Sequence, residues 1–119
     1  MSFDFRSDTP IFLQIIEHIK MKIISGQYLP NDRLASVREL SLNFGVNPNT
    51  VQKAVSQLEE IGLILTDSTN GKYITEDIVV IKKVRDETIK RIIDDFGDKI
   101  HEIGLSREDI LEILKKEWL

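Results

Sequence analysis

Ser36-Val37-Arg38-Glu39-Leu40 … Phe44-Gly45-Val46-Asn47-Pro48-Asn49-Thr50 … Ile61-Gly62 is the stretch on which the fold turns. Ser36 and Glu39 stand three apart. At that spacing a serine hydroxyl and a glutamate carboxylate satisfy each other's free backbone N–H groups at a helix start. The spacing predicts a helix from Ser36 to about Phe44, with Val37, Leu40 and Phe44 on its buried stripe and Gly45 at its end. Asn47 then caps a second helix, and Pro48 occupies its first position, where the missing N–H costs nothing. Val51, Ala54, Val55, Leu58 and Ile61 face inward along it, Ala54 is small enough for close approach, and Gly62 ends it. Two short helices joined by so tight a turn form a helix-turn-helix. That corner pushes the polar start of the second helix outward, the geometry with which a helix enters the major groove of DNA.

Upstream of this corner, Phe3 to Pro10 reads as an extended arm. Ile11, Ile15, Ile16, Ile19, Ile23 and Ile24 then recur with helical period. Thr9 is expected to cap that helix, Pro10 to sit in its first turn, and Ser25-Gly26 to close it. Tyr28-Leu29-Pro30-Asn31-Asp32 is a turn-rich connector. Downstream, Leu63–Thr66 and Lys72–Thr75 are strand candidates around Asp67-Ser68-Thr69-Asn70-Gly71, where Asn-Gly is a hairpin signal. Three helices followed by a hairpin describe a winged helix-turn-helix over residues 1–75, in a chain that is mainly α with one small β-hairpin.

Residues 76–119 differ in kind. From Glu76 to Ile103, apolar residues fall by threes and fours, predicting one long helix on the order of 40 Å at 1.5 Å per residue. Gly104 interrupts, and Ser106 caps a last short helix carrying Ile110, Leu111, Ile113, Leu114 and Trp118. A helix pair so rich in isoleucine cannot bury its stripe alone, and the simplest cover is a second copy. The candidate dimerisation residues are Ile81, Val84, Ile89, Ile92, Ile93, Phe96, Ile100, Ile103, Leu114 and Trp118.

Composition narrows the class. The chain of 119 residues is 41% hydrophobic and 30% charged, as globular proteins are, and has no cysteine for disulfides or zinc–thiolate sites. No run approaches a membrane span and no signal-peptide pattern opens the chain, so a cytoplasmic location is expected and no membrane partner. The net charge is −4, but it is uneven. Residues 1–75 hold seven Lys/Arg against eight Asp/Glu, and residues 76–119 hold nine against twelve. Local placement of cations, rather than the total, governs phosphate contact.

Pro10-Ile11-Phe12-Leu13-Gln14, Gly26, Asp32-Arg33-Leu34, Ser36 to Leu40, Gly45 to Val51, Leu58-Glu59 and Gly62-Leu63-Ile64 together resemble the DNA-binding domain of the GntR family of bacterial transcription regulators. The short two-helix tail looks like that of its YtrA-type branch. The resemblance implies a homodimeric regulator of double-stranded DNA, often a repressor of an operon encoding a transporter, on an inverted-repeat (palindromic) operator. It carries DNA contacts onto Arg38 and, around the start of the second motif helix, Asn47, Asn49, Thr50, Gln52 and Lys53. Ser36 and Pro48 belong to the same edge. Amides pair bidentately with adenine, while Lys53 and Arg38 suit phosphate or guanine. Gly71 and Lys72 are the wing's candidates, although a wing holding Asp67 is a poor probe of the minor groove. Two other departures, Ala35 for the family's proline and Asn31 for its glycine, read as conformational.

Other motifs have plainer explanations. Asp94-Asp95-Phe96-Gly97-Asp98 contains carboxylate spacing and an Asp-Phe-Gly triplet, yet no phosphate loop, second aspartate cluster or lysine-bearing strand accompanies it. A solvated acidic helix face accounts for it, with Gly97 marking close packing or a bend. His101 with Asp98 and Glu102 are neighbours on an exposed helix rather than a metal site, and His18 lies on a separate element. No nucleophile–base pair can be assembled, so neither catalysis nor a cofactor is expected. About 44 tail residues are too few to enclose a drug-sized ligand in one chain, which leaves the dimer interface or the tail–wing junction for any small-molecule effector. A winged-helix interaction module with little DNA affinity is the alternative that the acidic balance keeps open.

Overall fold

The structure is a computed structural model and describes residues 3–119. In chain order it forms α1 (Ile11–Ile24), α2 (Val37–Phe44), α3 (Pro48–Glu60), β1 (Ile64–Asp67), β2 (Gly71–Ile74), α4 (Ile78–Glu102) and α5 (Arg107–Trp118). The five helices and one antiparallel hairpin are those of a winged helix followed by a helical tail. Two compact units result, the first ending at Val84 and the second spanning Arg85–Leu119.

The first unit closes its own core. Ile15, Ile19 and Ile23 of α1, Leu40 and Phe44 of α2, and Val51, Ala54, Val55 and Leu58 of α3 are buried together with Leu63, Ile64 and Ile74 around the hairpin. Ala54, fully buried, supplies the small surface that lets neighbouring elements approach α3. The two motif helices start as their sequence dictates. Ser36 Oγ accepts from Glu39 N–H at 3.0 Å while the Glu39 carboxylate accepts from Ser36 N–H at 3.5 Å. Gly45 turns the chain out of α2 in the left-handed conformation, φ 71°.

Two local expectations are corrected, and the hairpin forms where Asn-Gly signals it. Pro10, not Thr9, is the N-cap of α1, and no side chain caps it. The Thr9 carbonyl is instead taken by Gln14 Nε2 at 2.8 Å. Ile61 is the C-cap of α3 rather than a member of its stripe, and its side chain is exposed because the helical period stops at Glu60. The hairpin turns through Ser68-Thr69-Asn70, pairing Asp67 with Gly71, so it is a three-residue loop. Gly71 takes the left-handed φ of 82°, and Asn70 does not share it, as a two-residue Asn-Gly turn would require.

The connector before α2 joins the sheet. Asn31 N–H donates to Ile74 O, Ile74 N–H to Asp32 O and Leu34 N–H to Lys72 O, all at 2.8–2.9 Å. Arg33 thereby bridges to Tyr73 on the side of β2 away from β1. Asn31 is the one non-glycine among the described residues at positive φ, 69°. That explains an asparagine where the resemblance expects glycine, since asparagine tolerates this region better than other side-chain-bearing residues.

The arm is docked rather than loose. Buried Gln14 accepts from Arg6 N–H at 2.9 Å and returns Nε2 to the Arg6 carbonyl at 2.8 Å. Phe3 and Phe5 pack with His18 and Phe44, with Phe3 edge-on to His18 at 4.7 Å. Burial, and then the nearby Lys22 charge, hold the His18 pKa below its ordinary value.

The tail is helical but thinly buried. α4 runs unbroken through Gly97, where a Cβ would meet nothing within 4 Å, so no close approach within the chain calls for glycine there. α5 begins with a second capping box, Ser106 with Asp109, and buries none of its residues. Among the described residues no helix is long and apolar enough to cross a membrane.

Candidate nucleic-acid interface

The exposed edge of the first unit is built from the start of α3 and the outer face of α2. Asn47 Oδ1 accepts from Asn49 N–H at 2.8 Å, fixing the first turn of α3, and the Asn47 amide nitrogen has no acceptor among the described residues. Arg38, Asn47, Pro48, Asn49, Gln52 and Lys53 are exposed, and Thr50 is half-buried. Directly behind them Val51, Ala54 and Val55 are fully buried. The polar edge is therefore rigidly backed. The N-terminal end of α3 adds the positive end of the helix dipole, favourable to phosphate, while its first-turn N–H groups are already taken, Asn49 by Asn47 Oδ1 and Thr50 and Val51 by the Asn47 carbonyl.

The side chains on this edge differ in how far they are committed. The Arg38 guanidinium has no side-chain partner among the described residues. Gln52 Nε2 donates to Ser56 Oγ at 3.0 Å, one turn further along α3. Lys53 Nζ rests 3.8 Å from the centroid of the Phe12 ring of α1, a cation–π contact that sets the direction of its charge. Ser36 is occupied by its capping box, so its hydroxyl is structural first.

The wing is differently arranged. Lys72 Nζ donates to Glu59 Oε1 at 2.9 Å and to Thr66 Oγ1 at 3.0 Å, and Thr66 Oγ1 donates to Glu59 Oε2 at 2.6 Å. The Thr66 hydroxyl and the Lys72 ammonium together hold the Glu59 carboxyl below its usual pKa against the opposing effect of burial. Asp67 is used up in the loop, accepting from Thr69 N–H at 2.8 Å and from Asn70 Nδ2 at 3.3 Å. These bonds, the first above all, lower its pKa. Gly71 turns the loop and is exposed.

Phe12, Ser56, Glu59 and Thr66 were not singled out from the sequence as parts of this edge. Ser56 carried a local signal, the four-residue spacing to Gln52. Phe12 and Glu59 carried none, because each meets its partner only after the chain folds back.

Of the candidate dimerisation residues, Val84 is buried with the winged core and Ile81 packs against that core, so both are covered within one chain. Helical period alone does not distinguish a stripe covered by its own domain from one awaiting a partner. Ile89, Ile92, Ile93, Phe96, Ile103 and Trp118 are exposed, with Trp118 at 83%, while Ile100 and Leu114 are half-buried. Among the described residues no group of three or more His, Cys, Asp or Glu is placed to hold a metal ion.

A capped helix-turn-helix with a hairpin wing and an exposed polar edge at the start of its second helix defines a winged-helix DNA-binding protein. Residues 12–74 match the model of the gntR family of bacterial regulatory proteins. The HTH-type transcriptional repressor YtrA of Bacillus subtilis is 37% identical over 125 residues, covering 98% of this chain and 90% of the relative. A GntR family transcriptional regulator from Listeria monocytogenes superposes with a TM-score of 0.88 at 37% identity, covering 94% of this chain and 98% of that one. The DNA-binding domain of AraR, solved in complex with operator ORX1, superposes with a TM-score of 0.57 at 26% identity, covering 63% of this chain and 99% of that domain. The chain belongs to the GntR family and is a transcriptional regulator whose likeness to the YtrA type extends through the tail.

Proposed function

We propose that the chain acts as a homodimeric repressor that binds an inverted-repeat operator through α3, with Arg38 of α2 as a flanking contact. The observation that carries this reading is the rigidly backed edge Asn47–Lys53, whose side chains are exposed while the residues behind them are sealed in the core. Repression is favoured by the likeness to YtrA, a repressor over nearly the same length. A transporter operon is the target implied by the branch resemblance. Dimerisation is assigned to the tail, whose exposed isoleucines, Phe96 and Trp118 lack cover within one chain. Two recognition helices would then sit about one helical turn apart, roughly 34–36 Å, on the operator. The work is binding rather than catalysis, done where the DNA is, in the cytoplasm, and any small-molecule effector would enter between subunits.

A gel shift against the chain's own upstream DNA tests the reading. Arg38→Ala, Asn49→Ala and Lys53→Ala combined abolish the shifted band while size-exclusion chromatography still reports a folded dimer. Normal binding by the triple variant would show that this edge does not contact the operator. The second reading, an interaction module with little DNA affinity, is favoured by the pairing of Lys72 with Glu59. Absence of any shift in the unaltered protein would select it.

A further inference from the structure

The wing's one lysine faces inward chemically as well as geometrically. Lys72 lies on β2 opposite Thr66 of β1, and Glu59 lies in the last turn of α3. The three form a closed triangle in which both carboxylate oxygens and two ammonium hydrogens are used. The Lys72 and Glu59 side chains are only 22% and 29% exposed, so the pair is partly withdrawn from water and its charges cancel. A DNA phosphate approaching the wing competes with a carboxylate already in place. The rest of the loop offers no substitute: Asp67 is an anion bound into the turn, and Ser68, Thr69 and Asn70 are neutral.

We propose that Glu59 is a positioning residue that holds Lys72 away from the DNA backbone, lowering affinity for DNA of any sequence and leaving sequence discrimination to α3. This rests on the DNA-binding reading above. Phosphate contacts carry no sequence information, so a cation withdrawn from the backbone lowers affinity for operator and arbitrary DNA by about the same factor. The triangle also ties both strands of the wing to the helix that would read the groove, so wing and helix move as one body.

The test is fluorescence anisotropy of the full-length protein on its operator and on a short mixed-sequence duplex at several salt concentrations. Glu59→Gln keeps the shape and the Thr66 hydrogen bond while removing the charge that holds Lys72. The expected result is tighter binding to both duplexes by a similar several-fold factor and a salt dependence steeper by about 0.9 per bound subunit, about 1.8 for the dimer, one added phosphate contact from each. Adding Lys72→Met to Glu59→Gln returns the slope to that of the unaltered protein. An unchanged slope in Glu59→Gln overturns the proposal, as does an equal steepening in Glu60→Gln, which makes the same change of net charge at the exposed neighbouring position without releasing Lys72. Failure of the unaltered protein to bind operator would instead overturn the DNA-binding reading itself.

Discussion

In the winged unit Ile15, Ile19, Val51, Val55, Leu58, Leu63, Ile64 and Ile74 are almost wholly out of water, whereas α5 buries none of its residues and α4 leaves Ile89, Ile92, Ile93 and Phe96 half-exposed or more. Both regions are written with the same isoleucine-rich helical period. The difference is whether another element of the same chain covers the stripe. Full burial of one such side chain is worth about 1.5–3 kcal/mol. The first region realises that gain within its own chain, and the second leaves it unrealised. An amphipathic stripe, read alone, reports a need for cover and says nothing about who provides it.

Breaking the tail is expected to have the largest effect on function. Ile92→Asp with Phe96→Asp places charge on exposed positions of α4, so the winged unit keeps its fold. Sedimentation velocity then reads a monomer, and operator affinity falls by about 100-fold or more as linked binding of two half-sites is lost. A variant that stays dimeric would locate the interface elsewhere. Breaking the winged core gives the opposite signature. Leu58→Ala empties a fully buried site and costs about 2–5 kcal/mol in urea unfolding. A cost under 1 kcal/mol would contradict the closed core described for this unit.

The finest comparison uses the two capping boxes, one in each region. Ser36→Ala removes the hydroxyl that caps α2 and costs about 1 kcal/mol of global stability. Ser106→Ala removes the same bond at α5, yet within one chain that helix has no buried face through which the winged unit feels the loss. It is expected to show as faster amide hydrogen exchange within α5 while the unfolding midpoint stays in place. Equal shifts of the midpoint would mean that the two regions unfold as one.

What was legible in the sequence follows from how local each signal is. The α2–α3 corner is specified by Ser36, Glu39, Gly45, Asn47 and Pro48, each acting on backbone groups within a few residues, and all agree. The cap of α1 was misread because Thr9 has a competing duty, its carbonyl being claimed by Gln14. The wing loop was only half legible. Asn70-Gly71 announced a turn, but the hydrogen bonds of Asp67 to Thr69 and Asn70 decide its length. The candidates on α3 come from the family resemblance, and the local caps only fix where that helix starts. The Phe12 support beneath Lys53 and the Glu59 hold on Lys72 were not legible, because no spacing within one element encodes a contact between two. The same limit hides from the sequence that Val84 packs with the winged core of its own chain.

The strand-like connector has a consequence for how the protein behaves in a crowded solution. A bare two-stranded hairpin presents two rows of unpaired backbone groups, each a template for another chain to add itself. Here Asn31 to Leu34 occupy the outer side of β2, so one of those rows is closed from within. The row along β1 is four residues long and ends at the charged Asp67. So short an edge, terminated by charge, gives little purchase for sheet-to-sheet aggregation.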